Sequence, residues 1–233
     1  MSYKKIQRMT AFMRINHWVV AFSMVGAVVT GLYIGHPYYS SFIADPAATK
    51  WVMAWNRWWH FMIAIVFDVS SIVVAYMYFF SRFEKPYKKL IPTGHNIKEF
   101  FAVLINLITF NRSKNFDSSH PDSFNAVFFF IFHLLLVWML LTGLQLYVHG
   151  LASGLSSIGS WWPSMLHLAT DWTLTVTGGT NMDVRLAHHT AMYAIIVWVM
   201  FHIYYQVWRT IFWKEGDISI VVGGSKFVKE DNH

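Results

Sequence analysis

The 233-residue chain contains no cysteine. This absence excludes disulfide bonds, iron–sulfur clusters and covalent haem attachment through a CxxCH motif, because all three need thiol groups. Any metal or metal-containing group must therefore be held by other ligands. Histidine is the commonest metal ligand in proteins, and the chain has twelve histidines.

Charged residues are also scarce. They make up 13% of the chain, whereas 55% of the residues are hydrophobic and 18% are aromatic. A soluble domain carries roughly 25% charged residues. The apolar residues form four blocks, each near the roughly 20 residues that cross a bilayer. The sequence therefore predicts an all-α membrane protein, a four-helix transmembrane bundle in which residues 1–233 form one domain, with helices at about Ile15–Ile34, Trp58–Phe80, Ala126–Val148 and Leu186–Phe212.

Lysine and arginine are unevenly distributed between the connecting segments. Fifteen of the eighteen lie in the N-terminal segment, the second loop at about 81–125 and the C-terminal tail. The first and third loops contain only Lys50, Arg57 and Arg185. The positive-inside rule then places both termini and the second loop in the cytoplasm. The net charge of +6 thus reflects membrane topology, and we expect no nucleic-acid partner.

Three connecting segments carry further predictions. Ile97–Phe110 is apolar but short for a span, which favours a helix lying on the membrane surface over a buried hairpin. The third loop, roughly His149–Arg185, has little charge and contains Trp161-Trp162-Pro163, which suits a partner contact or a partly sunk helix. The tail after Trp213 is polar and reads as a small cytoplasmic extension.

The fourth block carries histidines near both of its ends. His188 and His202 are fourteen residues apart. At about 100° per residue they return to within roughly 40° of one face, about 21 Å apart along the axis. His189 is thirteen residues from His202 and points to roughly the opposite side. His188 and His202 can therefore serve one seam of a helix bundle at two depths, and His189 and His202 cannot.

Helix direction sorts four histidines into two levels. His17 lies near the cytoplasmic end of the first helix, level with His202, and His60 lies near the outer end of the second helix, level with His188. Neutral imidazole binds haem iron, and two axial histidines leave no open position. The four residues thus predict two non-covalent haems b, each held by two histidines, with electron transfer and not oxygen chemistry as their task.

Arginines accompany the same histidines at regular spacing. Arg14, Arg57 and Arg185 each precede one of them by three residues, and Arg209 follows His202 by seven. Residues three apart on a helix share a face. Haem propionates prefer an interface and a cationic partner, and arginine suits carboxylates. These four arginines are therefore predicted propionate partners. The alternative is that they anchor the helix ends by extending towards water.

Two Thr-Gly pairs form a faint internal repeat. Thr30-Gly31 and Thr142-Gly143 each lie near the outer end of a predicted helix. The glycines provide either close helix packing or room for a porphyrin face.

Two ionisable residues lie inside predicted helices. His133 is interpreted as a packing or ligand-supporting residue, and Asp68 as a partner of another helix or part of a proton path.

Three stretches resemble a known family. They are Arg14-Ile15-Asn16-His17-Trp18 with Thr30-Gly31, Arg57-Trp58-Trp59-His60-Phe61, and Arg185-Leu186-Ala187-His188-His189 continuing to His202. With the length and the four-helix layout, they resemble the b-type cytochrome subunit of membrane-bound nickel–iron hydrogenases. They are more loosely similar to the gamma subunit of formate dehydrogenase.

The resemblance implies a place in an electron-transfer chain. Hydrogenase large and small subunits would lie on the outer face and deliver electrons to the haem of His60 and His188. The haem of His17 and His202 would pass them to a quinone, menaquinone or ubiquinone, with protons taken from the cytoplasm. The chain would be the electron-transfer and quinone-reducing subunit in a bacterial inner membrane, and not the subunit that activates hydrogen.

The resemblance also implies a quinone site before the third helix, carried by His120 and Asn125. The segment can equally be a helix cap with Asp122 or Ser123 at its N-terminus. Two other functions stay open. One is the same fold serving a formate dehydrogenase-like or other outward-facing oxidoreductase. The other is a haem-free membrane anchor or small transporter.

Overall fold

A computed structural model of the protein describes residues 3–37, 46–80, 92–112, 123–150, 161–214 and 218–229. These ranges contain seven helices and two strands. The helices are α1 (Ala11–Gly35), α2 (Pro46–Phe80), α3 (Gly94–Ile108), α4 (Ser123–Gly150), α5 (Trp161–Thr177), α6 (Asn181–Ile211) and α7 (Ile218–Gly223). The strands are β1 (Tyr3–Gln7) and β2 (Ser225–Lys229).

Four of these helices are long and apolar enough to cross a membrane, as predicted, although α2 begins at Pro46 and not near Trp58. The spanning segments are Ala11–Gly35, Trp51–Met77, Phe124–His149 and Asn181–Ile211. In the most apolar stretch of each of these four helices, only 11%, 6%, 17% and 17% of the residues are buried inside the protein. A soluble protein does not expose so large an apolar surface to water. The chain is therefore a multi-pass membrane protein whose span surfaces are suited to lipid.

The chain divides into two compact units, residues 1–127 with 201–233, and residues 128–200. In the first unit, α1 and α2 pack side by side. Gly26 permits this approach, because a Cβ atom there would lie 3.0 Å from Cδ1 of Ile63. The buried amide of Asn16 donates a hydrogen bond to the carbonyl of Ser70, 3.5 Å away. Small residues and a polar contact between helices are typical of association within a membrane.

A helix over the predicted surface segment is confirmed by α3. It begins at a capping box in which Thr93 and Asn96 exchange hydrogen bonds. Its buried face carries Leu107, and the ring of Phe100 stacks on Phe124 with a centroid distance of 4.9 Å. The opposite side is an exposed apolar stripe formed by Ile97, Phe101, Ile105 and Ile108.

The terminal segments of the chain form a structure that the sequence did not predict. β1 and β2 pair as an antiparallel two-stranded sheet, with Tyr3 opposite Lys229 and Gln7 opposite Ser225. The backbone N–H groups of Arg8 and Met9 both donate to the carbonyl of Gly224, at 2.8 and 3.1 Å. The C-terminal tail is therefore attached to the beginning of α1.

The second unit contains most of α4, all of α5 and the first part of α6. Aromatic packing joins α4 to α6, because the Trp198 ring stacks on Phe132 and Phe128 with centroid distances of 3.8 and 4.5 Å. The Trp198 indole N–H also donates to the carbonyl of Phe128 at 3.1 Å. The helix α5 agrees with the predicted sunk helix as far as its secondary structure is concerned.

A glycine turn separates α5 from α6. Gly178 and Gly179 have φ angles of 132° and 87°, which favour glycine over residues with a side chain. Thr180 then caps α6, because its hydroxyl accepts from the N–H of Asp183 at 3.2 Å and the Asp183 carboxylate accepts from the N–H of Thr180 at 3.2 Å. This reciprocal pair fixes where α6 begins.

Candidate functional site

His60 is held by a threonine of the neighbouring helix in the first unit. Nδ1 of His60, on α2, lies 2.8 Å from the hydroxyl oxygen of Thr30, on α1. The same hydroxyl lies 2.8 Å from the carbonyl of Gly26 and 3.2 Å from that of Ala27. Since the hydroxyl has one proton and these carbonyls can only accept, the oxygen faces the imidazole as an acceptor.

His188 has the same arrangement in the second unit. Its Nδ1, on α6, lies 2.8 Å from the hydroxyl oxygen of Thr142, on α4. The Thr142 hydroxyl is 2.8 Å from the carbonyl of Trp138 and 3.1 Å from that of Met139. Thr142 is fully buried. A Cβ atom added to the adjacent Gly143 would lie 3.5 Å from Cε1 of His188, so this glycine lies directly beside the imidazole.

These contacts determine the protonation of both rings. When the threonine oxygen is the acceptor, Nδ1 carries the hydrogen and the lone pair of the neutral imidazole is on Nε2. A histidine that binds a metal through one nitrogen commonly donates from the other to an oxygen, which fixes its tautomer and orientation. His60 and His188 thus both have the hydrogen-bonding pattern of metal-binding histidines.

The predicted inner pair comes together in the first unit. His17 lies on α1 and His202 on α6, both are half-buried, and their imidazoles lie near each other. Nδ1 of His17 is buried and has no hydrogen-bond partner among the described residues. Few buried polar atoms in folded proteins lack a partner, and such an atom can mark a site for a bound group. The structure brings these two imidazoles from distant parts of the chain together within the first unit.

A haem needs only these two protein ligands for its iron, because the porphyrin completes the coordination. In the part of the chain that the structure describes, no group of three or more histidine, aspartate or glutamate side chains converges as a site for a bare metal ion. Neutral imidazole nitrogens are donors that haem iron accepts from a protein, so these histidines fit a haem.

The four predicted propionate partners lie in different surroundings. Arg14 donates from Nη1 to the carbonyl of Val222, 2.8 Å away, a contact that the sequence did not predict. Arg57 and Arg185 are exposed on α2 and α6, one turn before His60 and His188. Arg209 is buried and donates to the hydroxyl of Tyr205 at 3.2 Å, with its guanidinium 5.3 Å from the centre of that ring.

Four other histidines contact a backbone carbonyl or a nearby side chain. The helical spacing places His189 away from the predicted ligand face, and its Nδ1 lies 3.0 Å from the carbonyl of Arg185. Nδ1 of His133 lies 2.6 Å from the carbonyl of Phe129 on its own helix. His149 contacts the side chain of Asn181 at 3.0 Å, and His95 lies 3.0 Å from Glu99.

The predicted quinone residues are only partly within the described ranges. Asn125 lies in the first turn of α4 and is half-buried. His120, Asp122 and the side chain of Ser123 lie outside what the structure describes.

The contacts of Thr30 and Thr142 with the two histidines were not predicted from the sequence, where the repeated Thr-Gly pairs pointed only to the glycines. The signal was present, because Thr30 and Thr142 occupy equivalent positions near the ends of two spans. Which group each hydroxyl meets depends on helix rotation, which the repeat alone does not determine.

Several known proteins are similar in sequence to this chain over most of their length. The chain is 27% identical over 231 residues to the probable Ni/Fe-hydrogenase B-type cytochrome subunit of Cupriavidus necator, covering 93% of this chain and 85% of that protein. It is 29% identical over 217 residues to the protein of the same description from Bradyrhizobium diazoefficiens, covering 91% and 82%. It is 26% identical over 225 residues to the probable Ni/Fe-hydrogenase 1 B-type cytochrome subunit of Escherichia coli K12, covering 94% and 91%.

A family match extends over almost the whole chain and includes every candidate histidine and arginine discussed above. The family is described as prokaryotic cytochrome b561, and the match runs from residue 8 to residue 224. Because the match covers nearly the whole chain, which has four helices able to span a membrane, the chain belongs to the prokaryotic cytochrome b561 family.

Proposed function

We propose that this chain is the cytochrome b subunit of a membrane-bound nickel–iron hydrogenase. In this proposal it carries electrons from hydrogenase small and large subunits on the outer face to a quinone on the cytoplasmic side. Residues 1–233 act as one dihaem domain in a bacterial inner membrane. The relatives described as Ni/Fe-hydrogenase cytochrome subunits support the choice of partner.

The single observation that carries the proposal is the approach of His17 and His202. They come from the first and the last span, and their half-buried side chains lie near each other inside the first unit. Bound haem supplies an iron that alternates between the ferric and ferrous states and so accepts and releases one electron. His17 and His202 would hold the iron of the inner haem through their imidazole nitrogens and would fix its depth in the membrane.

His60 and His188 are proposed as the ligands of the outer haem. Each ring has its Nδ1 hydrogen bonded to a threonine at 2.8 Å, which puts the lone pair of the imidazole on Nε2, the atom that would bind iron. Both residues lie near the ends of their spans that the charge distribution assigns to the outer side. The level at which electrons enter would then be separated from the level at which they leave.

Arg14, Arg57, Arg185 and Arg209 are the proposed propionate partners. A guanidinium group binds a carboxylate through two parallel hydrogen bonds and holds it in a defined orientation. The burial of Arg209 supports its assignment, because a charged group inside a protein is retained when an anion or hydrogen bonds compensate it. For Arg14 the proposal requires the guanidinium to keep its bond to the tail while a second N–H group reaches the propionate.

The location of both termini in the cytoplasm is supported by two observations. Fifteen of the eighteen lysines and arginines lie in the segments assigned to that side. Independently, β1 and β2 pair near the two chain ends, which requires both ends to be on one side of the membrane. A quinone would accept electrons on this side, next to the inner haem, with His120 and Asn125 as the proposed contacts.

Visible spectroscopy and mild-detergent purification test the proposal together. We expect a reduced-minus-oxidised b-type band, two haems per chain after extraction, and co-purification of nickel–iron hydrogenase subunits. Co-purification of a formate dehydrogenase-like enzyme with the same two haems would replace the partner and keep the electron-transfer role. A purified chain with no b-type band would support the haem-free anchor or transporter and would overturn the proposal.

A further inference from the structure

The paired geometry of Thr30 with His60 and Thr142 with His188 is the feature of this molecule that haem binding alone does not explain. Two separate helix pairs place a threonine hydroxyl at the same 2.8 Å from Nδ1 of a candidate ligand. Each hydroxyl is itself fixed by the helix carbonyls one turn before it. The repeat of a three-part arrangement in both units argues against a chance contact.

We propose that Thr30 and Thr142 are positioning residues that set the orientation and the electron-donating strength of the two outer haem ligands. The inference rests on the proposed function, because it requires His60 and His188 to bind haem iron. A hydrogen bond from Nδ1–H to an oxygen holds the imidazole plane and raises the basicity of Nε2. A more basic axial ligand favours the ferric state, so each threonine lowers the reduction potential of the haem that its histidine holds.

The chain provides a contrast at the other level. Nδ1 of His17 is buried and lacks a hydrogen-bond partner among the described residues. The threonine effect is therefore specific to His60 and His188, and removal of either hydroxyl changes the outer haem and leaves the haem of His17 unchanged. Because His60 and His188 are proposed to hold one haem, Thr30 and Thr142, which lie in different spans, are expected to act on that same haem.

The test uses Thr30→Val and Thr142→Val in the full chain, in membranes that contain its partner subunits. Valine keeps the shape of threonine and removes the hydroxyl. We expect each variant to shift the midpoint potential of one haem to a more positive value and to change the low-spin ferric signal of that haem in electron paramagnetic resonance. Thr30→Ser and Thr142→Ser restore the hydroxyl, and with it the wild-type potential and signal.

Thr190→Val is the matched control. Thr190 lies two residues after His188 on α6, and its hydroxyl donates to the carbonyl of Leu186 at 2.9 Å. This variant loses the same kind of threonine-to-helix bond without touching a candidate ligand. We expect it to leave both haem potentials and both ferric signals at their wild-type values.

Every result decides one of the two proposals. Unchanged potentials and signals in both valine variants overturn the role of the threonines. If a valine variant fails to retain haem, retention in the serine variant supports the hydroxyl role, whereas loss in both shows that the threonine acts by packing and overturns it. Shifts in two different haems support positioning but overturn the pairing of His60 with His188. A wild-type chain without a b-type band overturns the proposed function, and this inference with it.

Discussion

The indole nitrogen of Trp18 donates a hydrogen bond to the carbonyl oxygen of Val221, 3.1 Å away. The bond joins the first span to the C-terminal tail, and it lies next to His17, whose ring centre is 5.6 Å from that of Trp18. Arg14, one turn earlier, binds the next tail residue, Val222. The tail is thus part of the structure that positions one of the candidate haem ligands.

Gly224 is the residue that permits the tail to reach α1. Its φ angle is 78°, and an added Cβ would lie 2.6 Å from the carbonyl oxygen of Met9. We expect Gly224→Ala to detach the tail and to destabilise the protein by about 1–3 kcal/mol, because the backbone conformation is strained for alanine and the carbonyl cannot yield easily. The measurements are thermal unfolding in detergent and limited proteolysis of the C-terminus.

The neighbouring Gly223 offers the control for this prediction. A Cβ at Gly223 would meet nothing within 4 Å. Gly223→Ala should therefore leave both the unfolding temperature and the rate of cleavage near their wild-type values. Equal sensitivity of the two variants to protease would show that the contact with Met9 does not hold the tail.

The sequence predicted the parts of this fold that depend on local composition. Each span is a continuous apolar block, so its existence and approximate position follow from its composition and from the number of residues in the block. Because successive spans run in opposite directions, the sequence also places His17 and His202 at the same depth in the membrane. The contacts that decide ring orientation and tail position were not predictable in this way.

The missed features depend on long-range geometry. The pairing of Tyr3–Gln7 with Ser225–Lys229 joins segments at opposite ends of the chain, and neither is a strong strand sequence alone. Arg14 was assigned to a propionate from its spacing to His17, and its bond to Val222 could be seen only once the tail was placed. Hydrogen bonds of this kind depend on rotation about the helix axis, which composition leaves free.

Trp198 is expected to carry much of the packing between α4 and α6. It stacks on Phe132 at 3.8 Å and on Phe128 at 4.5 Å. Trp198→Ala should lower the free energy of unfolding by about 3 kcal/mol, because packing is the main source of helix association in a membrane. Trp198→Phe keeps a stacked ring and loses only the bond to the Phe128 carbonyl, so a loss of about 1 kcal/mol is expected.

Tyr193 on the same helix provides the comparison for Trp198. Its side chain is exposed, and we expect Tyr193→Ala to change stability by no more than about 0.5 kcal/mol. Thermal unfolding of the three variants in one detergent measures the order. If Trp198→Ala and Tyr193→Ala unfold at the same temperature, the aromatic stack contributes little.

The turn before α6 should be sensitive to substitution at Gly178. Its φ angle is 132°, and a Cβ would lie 2.9 Å from Cγ of Asp183, the partner of Thr180 in the capping box. Gly178→Ala should cost about 2 kcal/mol through backbone strain and loss of the cap. At Gly179 the φ angle is 87° but the space is open. Gly179→Ala should therefore have a smaller effect in the same unfolding assay, and a larger one would contradict the role given to Asp183.

The candidate ligands can be separated from their neighbours by alanine substitution. Removing an axial histidine leaves the iron with a single protein ligand and an open position, so we expect the haem to be lost or to become high-spin. His60→Ala and His188→Ala should affect one haem, and His17→Ala and His202→Ala the other. In each case the low-spin b-type absorbance should fall by about half, measured against the amount of chain in the membrane.

His189→Ala is the strictest control, because His189 is adjacent to His188 in the sequence and differs from it mainly in the direction of its ring. Its Nδ1 contacts the carbonyl of Arg185 on its own helix, whereas Nδ1 of His188 contacts Thr142 on α4. We therefore expect His189→Ala to retain both haems. Loss of a haem in His189→Ala together with its retention in His188→Ala would show that the helix presents the other histidine to the porphyrin, and the assignment of all four ligands would have to be revised.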